Sequence, residues 1–166
     1  MIDFDFERLR SMGLTPALAS RATACASEPP LAELACRLMR LTVLHRETLR
    51  LHDGESEISA RVMPRLARAL FDAEDSLAVG DWVLCVLDAH GAAWVHERVP
   101  PLTHLVRRDA DGRRHPVVSN IDTALLVMGL DDDFNPRRLE RFLALVQGSG
   151  VQPVIVLSKA DTLADA

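Results

Sequence analysis

The sequence predicts a mixed fold in three parts: a short helical segment, a small closed β-barrel and a β-α-β unit. Three observations carry that expectation. Apolar residues recur at helical spacing over residues 5–25. They then recur at every second position from Arg37 to Val62, and two unbroken apolar runs, 124–128 and 154–157, flank a last helical stripe. The expected division is 1–34 for the helical segment, 35–103 for the barrel, 104–118 for an arginine-rich linker and 119–166 for the α/β part.

In the first part, Leu9, Met12, Leu18 and Ala22 form the apolar stripe, Gly13 splits it into two short helices, and Pro29-Pro30 closes it. From Arg37 the period changes to two. Leu49 and Leu51 on one arm and Ile58, Ala60 and Val62 on the other flank Asp53-Gly54, the residue pair that favours a tight hairpin turn. A short helix is expected over 64–78, with Leu66, Ala69 and Leu70 inward. Val79-Gly80-Asp81 then opens a second hairpin, 82–87 and 92–99, around His90-Gly91. Three strands, a helix and two strands is the order of a five-stranded oligonucleotide/oligosaccharide-binding (OB) barrel. Trp82 and Trp94 fall on its strands, where a core role competes with base stacking.

Pro100-Pro101 ends the barrel. Residues 104–116 are polar and carry Arg107, Arg108, Arg113 and Arg114 around Asp111-Gly112, which reads as an exposed connection. In the last part, the run at 124–128 suits a strand covered on both faces. Asn135 and Pro136 suit the cap and first residue of a helix, because the Asn side chain accepts a terminal amide and proline has none to lose. Leu139, Phe142, Leu143 and Val146 form its stripe, and Gly148 is expected to end it in the left-handed conformation. A second strand from Pro153 completes a β-α-β unit with parallel strands.

Composition narrows the function classes. At 166 residues and 48% apolar, the chain can bury a core. No apolar run approaches the roughly 20 residues of a membrane span, and the first five residues are acidic where a secretory leader is basic, so a cytoplasmic location is expected. Cys25, Cys36 and Cys85 form no C-x-x-C, and His45 and His52 lack a third ligand at ordinary spacing, so no metal is expected in this chain.

The net charge of −5 excludes a uniformly basic surface. Within 36–70, however, seven arginines face four acidic residues, a local +3. Arg37, Arg40, Arg46 and Arg61 are the candidates for an RNA face.

The strand at 154–157 runs into Ser158-Lys159-Ala160-Asp161, and Lys159 is the only lysine of the chain. A loop at the carboxyl end of a parallel strand is where open α/β sheets bind ligands. The spacing suits guanine: a carboxylate at Asp161 accepts from the ring N1–H and the exocyclic amine together, a donor pair adenine lacks. Lys159 would lay its stem along the base, and Ser158 would help fix the loop. A phosphate loop needs G-x-x-x-x-G-K-[ST], and Lys159 follows Ser158 and precedes Ala160, so this guanine motif has no phosphate loop upstream. A permuted element order resolves the contradiction.

The segments "LRSMGLTPALA", "RLMRLTVLHRETLRLHDG", "AVGDWVL" and "HPVVSNIDTALLVMGLDDDFNPRRLERFLALVQGSGVQPVIVLSKAD" together resemble the ribosome small-subunit-dependent GTPase family, RsgA/YjeQ. That resemblance implies a circularly permuted GTPase whose amino-terminal OB barrel binds the small ribosomal subunit and its rRNA. It implies GTP hydrolysis coupled to late subunit assembly, with GTP or GDP and Mg²⁺ in the intact protein and zinc in a carboxyl-terminal region. Ser158, Lys159 and Asp161 then contact guanine, with serine at a position usually Asn or Thr. Residues 119–166 read as the start of the GTPase domain, ending just after the guanine motif. The chain is accordingly expected to be an amino-terminal portion, inactive alone, with an unfinished sheet prone to self-association. The other reading is a non-enzymatic OB-fold RNA-binding module with a structural β-α-β tail.

Overall fold

The computed structural model describes residues 2–45 and 48–162. A two-residue strand β1 (Ile2–Asp3) leads into helices α1 (Phe6–Arg10) and α2 (Pro16–Ser27). Asp5 and Thr15 cap them, accepting from the amides of Arg8 and Leu18, and Gly13 (φ +91°) makes the break between them. Strands β2 (Cys36–His45), β3 (Thr48–His52) and β4 (Glu57–Val62), helix α3 (Pro64–Asp72), and strands β5 (Trp82–Leu87) and β6 (Ala93–Arg98) follow. The neighbour order β2-β3-β4-β6-β5 returns to β2 through a β2–β5 pairing, so five strands close into a barrel, with β1 added in parallel beside β2. Closure leaves no free edge among the five.

Strand alternation sorts the side chains into two cores. Met39, Leu41, Leu51, Val83, Cys85 and Val95 fill one cluster, capped by Leu66 of α3. Residues of opposite parity, Cys36, Leu38, Trp82 and Leu84, pack with Leu9, Leu14 and Leu18 of the helical segment. Trp82 is fully buried there, so it belongs to the core, whereas Trp94 is half-exposed. Helix α3 stops at Asp72 rather than near residue 78. Leu77 and Ala78 are buried from an irregular segment, their apolar signal coming from packing and not from helix.

The expected linker is a hairpin. Strands β7 (His104–Arg108) and β8 (Arg114–Ser119) pair antiparallel, and the Asp109 carboxylate accepts from the amides of Asp111 and Arg113 in the turn. Its arginines point outward, which is why the stretch reads as solvated, while Leu105 and Val118 pack with Val146 and Val151 of the last unit. That unit consists of β9 (Thr123–Gly129), α4 (Pro136–Gly148) and β10 (Gln152–Ser158). Asn135 caps α4, accepting from the Arg138 amide at 3.0 Å. The left-handed glycine after the helix is Gly150 (φ +72°) and not Gly148, which is still helical. β9 and β10 run parallel and in register from Thr123↔Gln152 to Gly129↔Ser158. Alternate residues face outward, leaving Leu125 and Val127 65% and 63% exposed.

Candidate nucleotide corner and nucleic-acid face

Because β9 and β10 are parallel and end level with one another, the loops that leave their carboxyl ends rise side by side. The Leu130 amide donates to the Ser158 carbonyl at 2.9 Å, tying the first loop to the second. Ser158 Oγ reaches the Met128 carbonyl only at 3.4 Å. Lys159 is left-handed (φ +58°) and exposed, and its Nζ donates to Asp131 Oδ2. Asp161 follows in a single 3-10 turn (Ala160–Thr162), with its side chain exposed.

Asp131 is seated by its surroundings. Its Oδ1 accepts from the Asp133 amide at 3.2 Å, and its carbonyl accepts from the Phe134 amide at 2.8 Å. A Cβ on Gly129 would lie 2.9 Å from Asp131 Oδ1, so the carboxylate rests against the bare end of β9. The Lys159 hydrogen bond, with the Asp133 amide, holds the Asp131 carboxyl below the usual range, and Asp131 raises the Lys159 ammonium in turn. Nothing in the local sequence singles out Asp131 among Asp131-Asp132-Asp133. The available signal was topological: two in-register parallel strands bring the residues after each end together.

The four arginines proposed for an RNA face part company. Arg61 lies on the outside of β4, opposite Ile58, Ala60 and Val62 in parity, with its guanidinium 5.8 Å from the Trp94 ring centroid. The parallel β4–β6 register sets Arg61 beside Trp94, giving an exposed cation on an aromatic face. Arg37 is exposed on β2. Arg46 lies outside the described residues. Arg40 turns the other way: on the parity of Cys36 and Leu38, it faces the helical segment. It donates to the carbonyls of Met12 and Asn120, the latter at 2.9 Å, and sits 5.7 Å from the Trp82 ring centroid. Burial lowers its pKa from the ordinary arginine value.

Among the described residues, no group of three or more His, Cys, Asp or Glu is placed to hold a metal ion. Likewise, no helix is long and apolar enough to cross a membrane.

Residues 98–166 match the model of the RsgA GTPase family. Over 109 residues the chain is 44% identical to the small ribosomal subunit biogenesis GTPase RsgA of Xanthomonas oryzae pv. oryzae, and 43% identical to that of Xanthomonas campestris pv. campestris. Each match covers 64% of this chain and 29% of the relative, so the chain matches under a third of those proteins' length. In fold it is similar to YloQ, a circularly permuted GTPase, with a TM-score of 0.55 at 22% identity, over 78% of this chain and 43% of that one. YjeQ from Thermotoga maritima gives a TM-score of 0.57 at 18% identity, over 78% and 44%. In sequence the chain is thus similar to the RsgA GTPase family over residues 98–166, and its barrel and parallel β-α-β unit share the fold of those two structures.

Proposed function

We propose that these residues serve a cytoplasmic GTP hydrolase of small-subunit maturation. The barrel meets rRNA, and the loop from Ser158 to Asp161 reads guanine. One observation carries the nucleotide reading: β9 and β10 run parallel, in register to Gly129↔Ser158, so the S-K-A-D loop leaves the carboxyl edge of a β-α-β unit. The donor set suits the base. Asp161 offers a carboxylate in open space for the N1–H and amine pair, and Lys159 beside it offers an apolar stem. The relatives named as GTPases that act in small ribosomal subunit biogenesis support the same reading.

Phosphoryl transfer depends on holding the phosphates and Mg²⁺. The one lysine of residues 1–166 lies in the guanine loop and in no G-x-x-x-x-G-K-[ST] sequence, so these residues supply base recognition and RNA contact without turnover of their own. For the RNA face, Arg61 on Trp94 offers both charge and a stacking surface, and Arg37 adds charge. Arg40 is occupied as a structural tie and makes the weakest candidate of those described.

The test is an NMR titration of the 166-residue chain with GDP and with ADP, alongside small-subunit binding across a salt series. Shifts around Asp161 with GDP alone, and salt-sensitive subunit binding, are expected. Equal responses to the two nucleotides would remove the base-reading role. Subunit binding without any nucleotide response would leave an RNA-binding module.

A further inference from the structure

We propose that Asp131 is a positioning residue of the nucleotide corner: its carboxylate holds the Lys159 arm and, through it, the backbone of the loop that presents Asp161. This rests on the guanine reading above and adds to it a residue from the other strand's loop.

The loop needs a holder. Lys159 is one of three described non-glycine residues with positive φ, a conformation that side chains disfavour and that the surroundings must impose. The Ser158 carbonyl ties the base of the loop to Leu130 at 2.9 Å, but its hydroxyl is a poor anchor, meeting the Met128 carbonyl only at 3.4 Å, near the limit of a hydrogen bond. Asp131 is the better one. Three independent constraints seat it: the Asp133 amide on Oδ1, the Phe134 amide on its carbonyl, and the missing Cβ at Gly129. Its second oxygen is thereby turned to the Lys159 ammonium. With the ammonium drawn to Asp131, the methylene stem is the part of Lys159 suited to lie along a planar ligand, which is the part a base needs.

Asp133 also acts on Lys159, and it is itself paired with Arg138 at 3.3 Å. That makes Asp133→Asn the natural control.

Lys159 is the only lysine, so lysine-selective ¹³C labelling of the whole 166-residue chain gives one side-chain signal to follow. GDP and ADP affinities and the pH titration of that signal are measured for the native chain and for Asp131→Asn, Asp131→Glu and Asp133→Asn. Asp131→Asn is expected to weaken GDP about threefold to fivefold, the scale of an exposed ion pair, leave ADP unchanged, and bring the Lys159 titration down in pH. Asp131→Glu should recover part of both, and Asp133→Asn should change either only slightly. A Lys159 titration identical in the native and Asp131→Asn chains would overturn the pairing. A displaced titration with unchanged GDP affinity would overturn the positioning role and leave the base reading intact. A native chain that does not prefer GDP to ADP would overturn the base reading itself, and the positioning role with it.

Discussion

Arg40 Nη2 donates to the carbonyl of Asn120 at 2.9 Å, so one guanidinium on β2, the barrel's first strand, holds the chain just before β9. Its Nη1 donates to the Met12 carbonyl between the two amino-terminal helices. Asn120, itself left-handed (φ +53°), donates from its side chain to the Gly80 carbonyl at 3.0 Å and accepts from the Leu102 amide at 2.8 Å. Three parts of the fold thus meet at one cation.

Replacing that cation should loosen the joint whether or not charge is kept. A lysine ammonium is a single point and cannot serve two carbonyls in different directions as a planar fork does. We expect Arg40→Lys to cost about 2 kcal/mol and Arg40→Met about 3, from the loss of one or two charged hydrogen bonds. Urea unfolding gives both values. A loss in Arg40→Lys below about 0.5 kcal/mol would contradict the account.

Gly80 lies at the same joint and has no room for a side chain. A Cβ there would stand 2.0 Å from the Ser119 carbonyl oxygen, a backbone atom that cannot swing aside, and the residue's φ is +91°. Gly91 shares a positive φ, +79°, but has nothing within 4 Å of its Cβ position. Gly91→Ala should therefore cost only the backbone term, about 1 kcal/mol. Gly80→Ala should cost well beyond that, about 3 kcal/mol or more, or prevent folding. Thermal unfolding of the two variants side by side measures the difference.

The barrel was legible because alternation and turn chemistry act locally: Leu49, Leu51, Ile58 and Ala60 around Asp53-Gly54 fix a hairpin without reference to anything distant. The β-α-β unit was legible for the same reason, through its apolar runs and the Asn135-Pro136 cap. The β7–β8 hairpin was not, because arginines cover its outer side and only Leu105 and Val118 report its buried one. Arg40 and Asp131 were hidden for another reason. Each acts across more than 25 residues of sequence, on Asn120 or Lys159, and spacing along the chain carries no signal for such pairs.

Asp75 and Asp81 should bend the acid stability curve in opposite directions. Burial pushes Asp75 up, but the Arg98 hydrogen bond at 2.6 Å, the Ser76 amide and the neighbouring charges outweigh it and hold the carboxyl below the usual range. Its contribution is present above the unfolded value near 4 and is lost as pH falls through the lower folded value. Asp81 is fully buried, and burial raises its pKa despite the Ala78 amide at 2.8 Å and the Ser119 hydroxyl. Its contribution is present below the unfolded value and is lost as pH rises through the folded one. Asp75→Asn should thus cost about 2 kcal/mol at pH 7, with the deficit shrinking toward pH 3. Asp81→Asn should gain on the native chain at pH 7, with the gain vanishing in acid. Urea midpoints at several pH values test both signs.

The choice of base should follow the chemistry of one side chain. Guanine presents N1–H and an exocyclic amine, two donors that suit the two acceptors of Asp161. Xanthine keeps N1–H but carries a carbonyl in place of the amine. An asparagine offers one acceptor and one donor, which matches xanthine and mismatches guanine. Asp161→Asn should therefore weaken GDP at least tenfold, about 1.4 kcal/mol, through an unpaired polar group, and should strengthen xanthosine diphosphate relative to it. Calorimetry with both nucleotides measures the ratio. Equal losses for the two would mean that Asp161 supports the loop's structure and does not touch the base, because a purely structural residue has no means of telling an amine from a carbonyl.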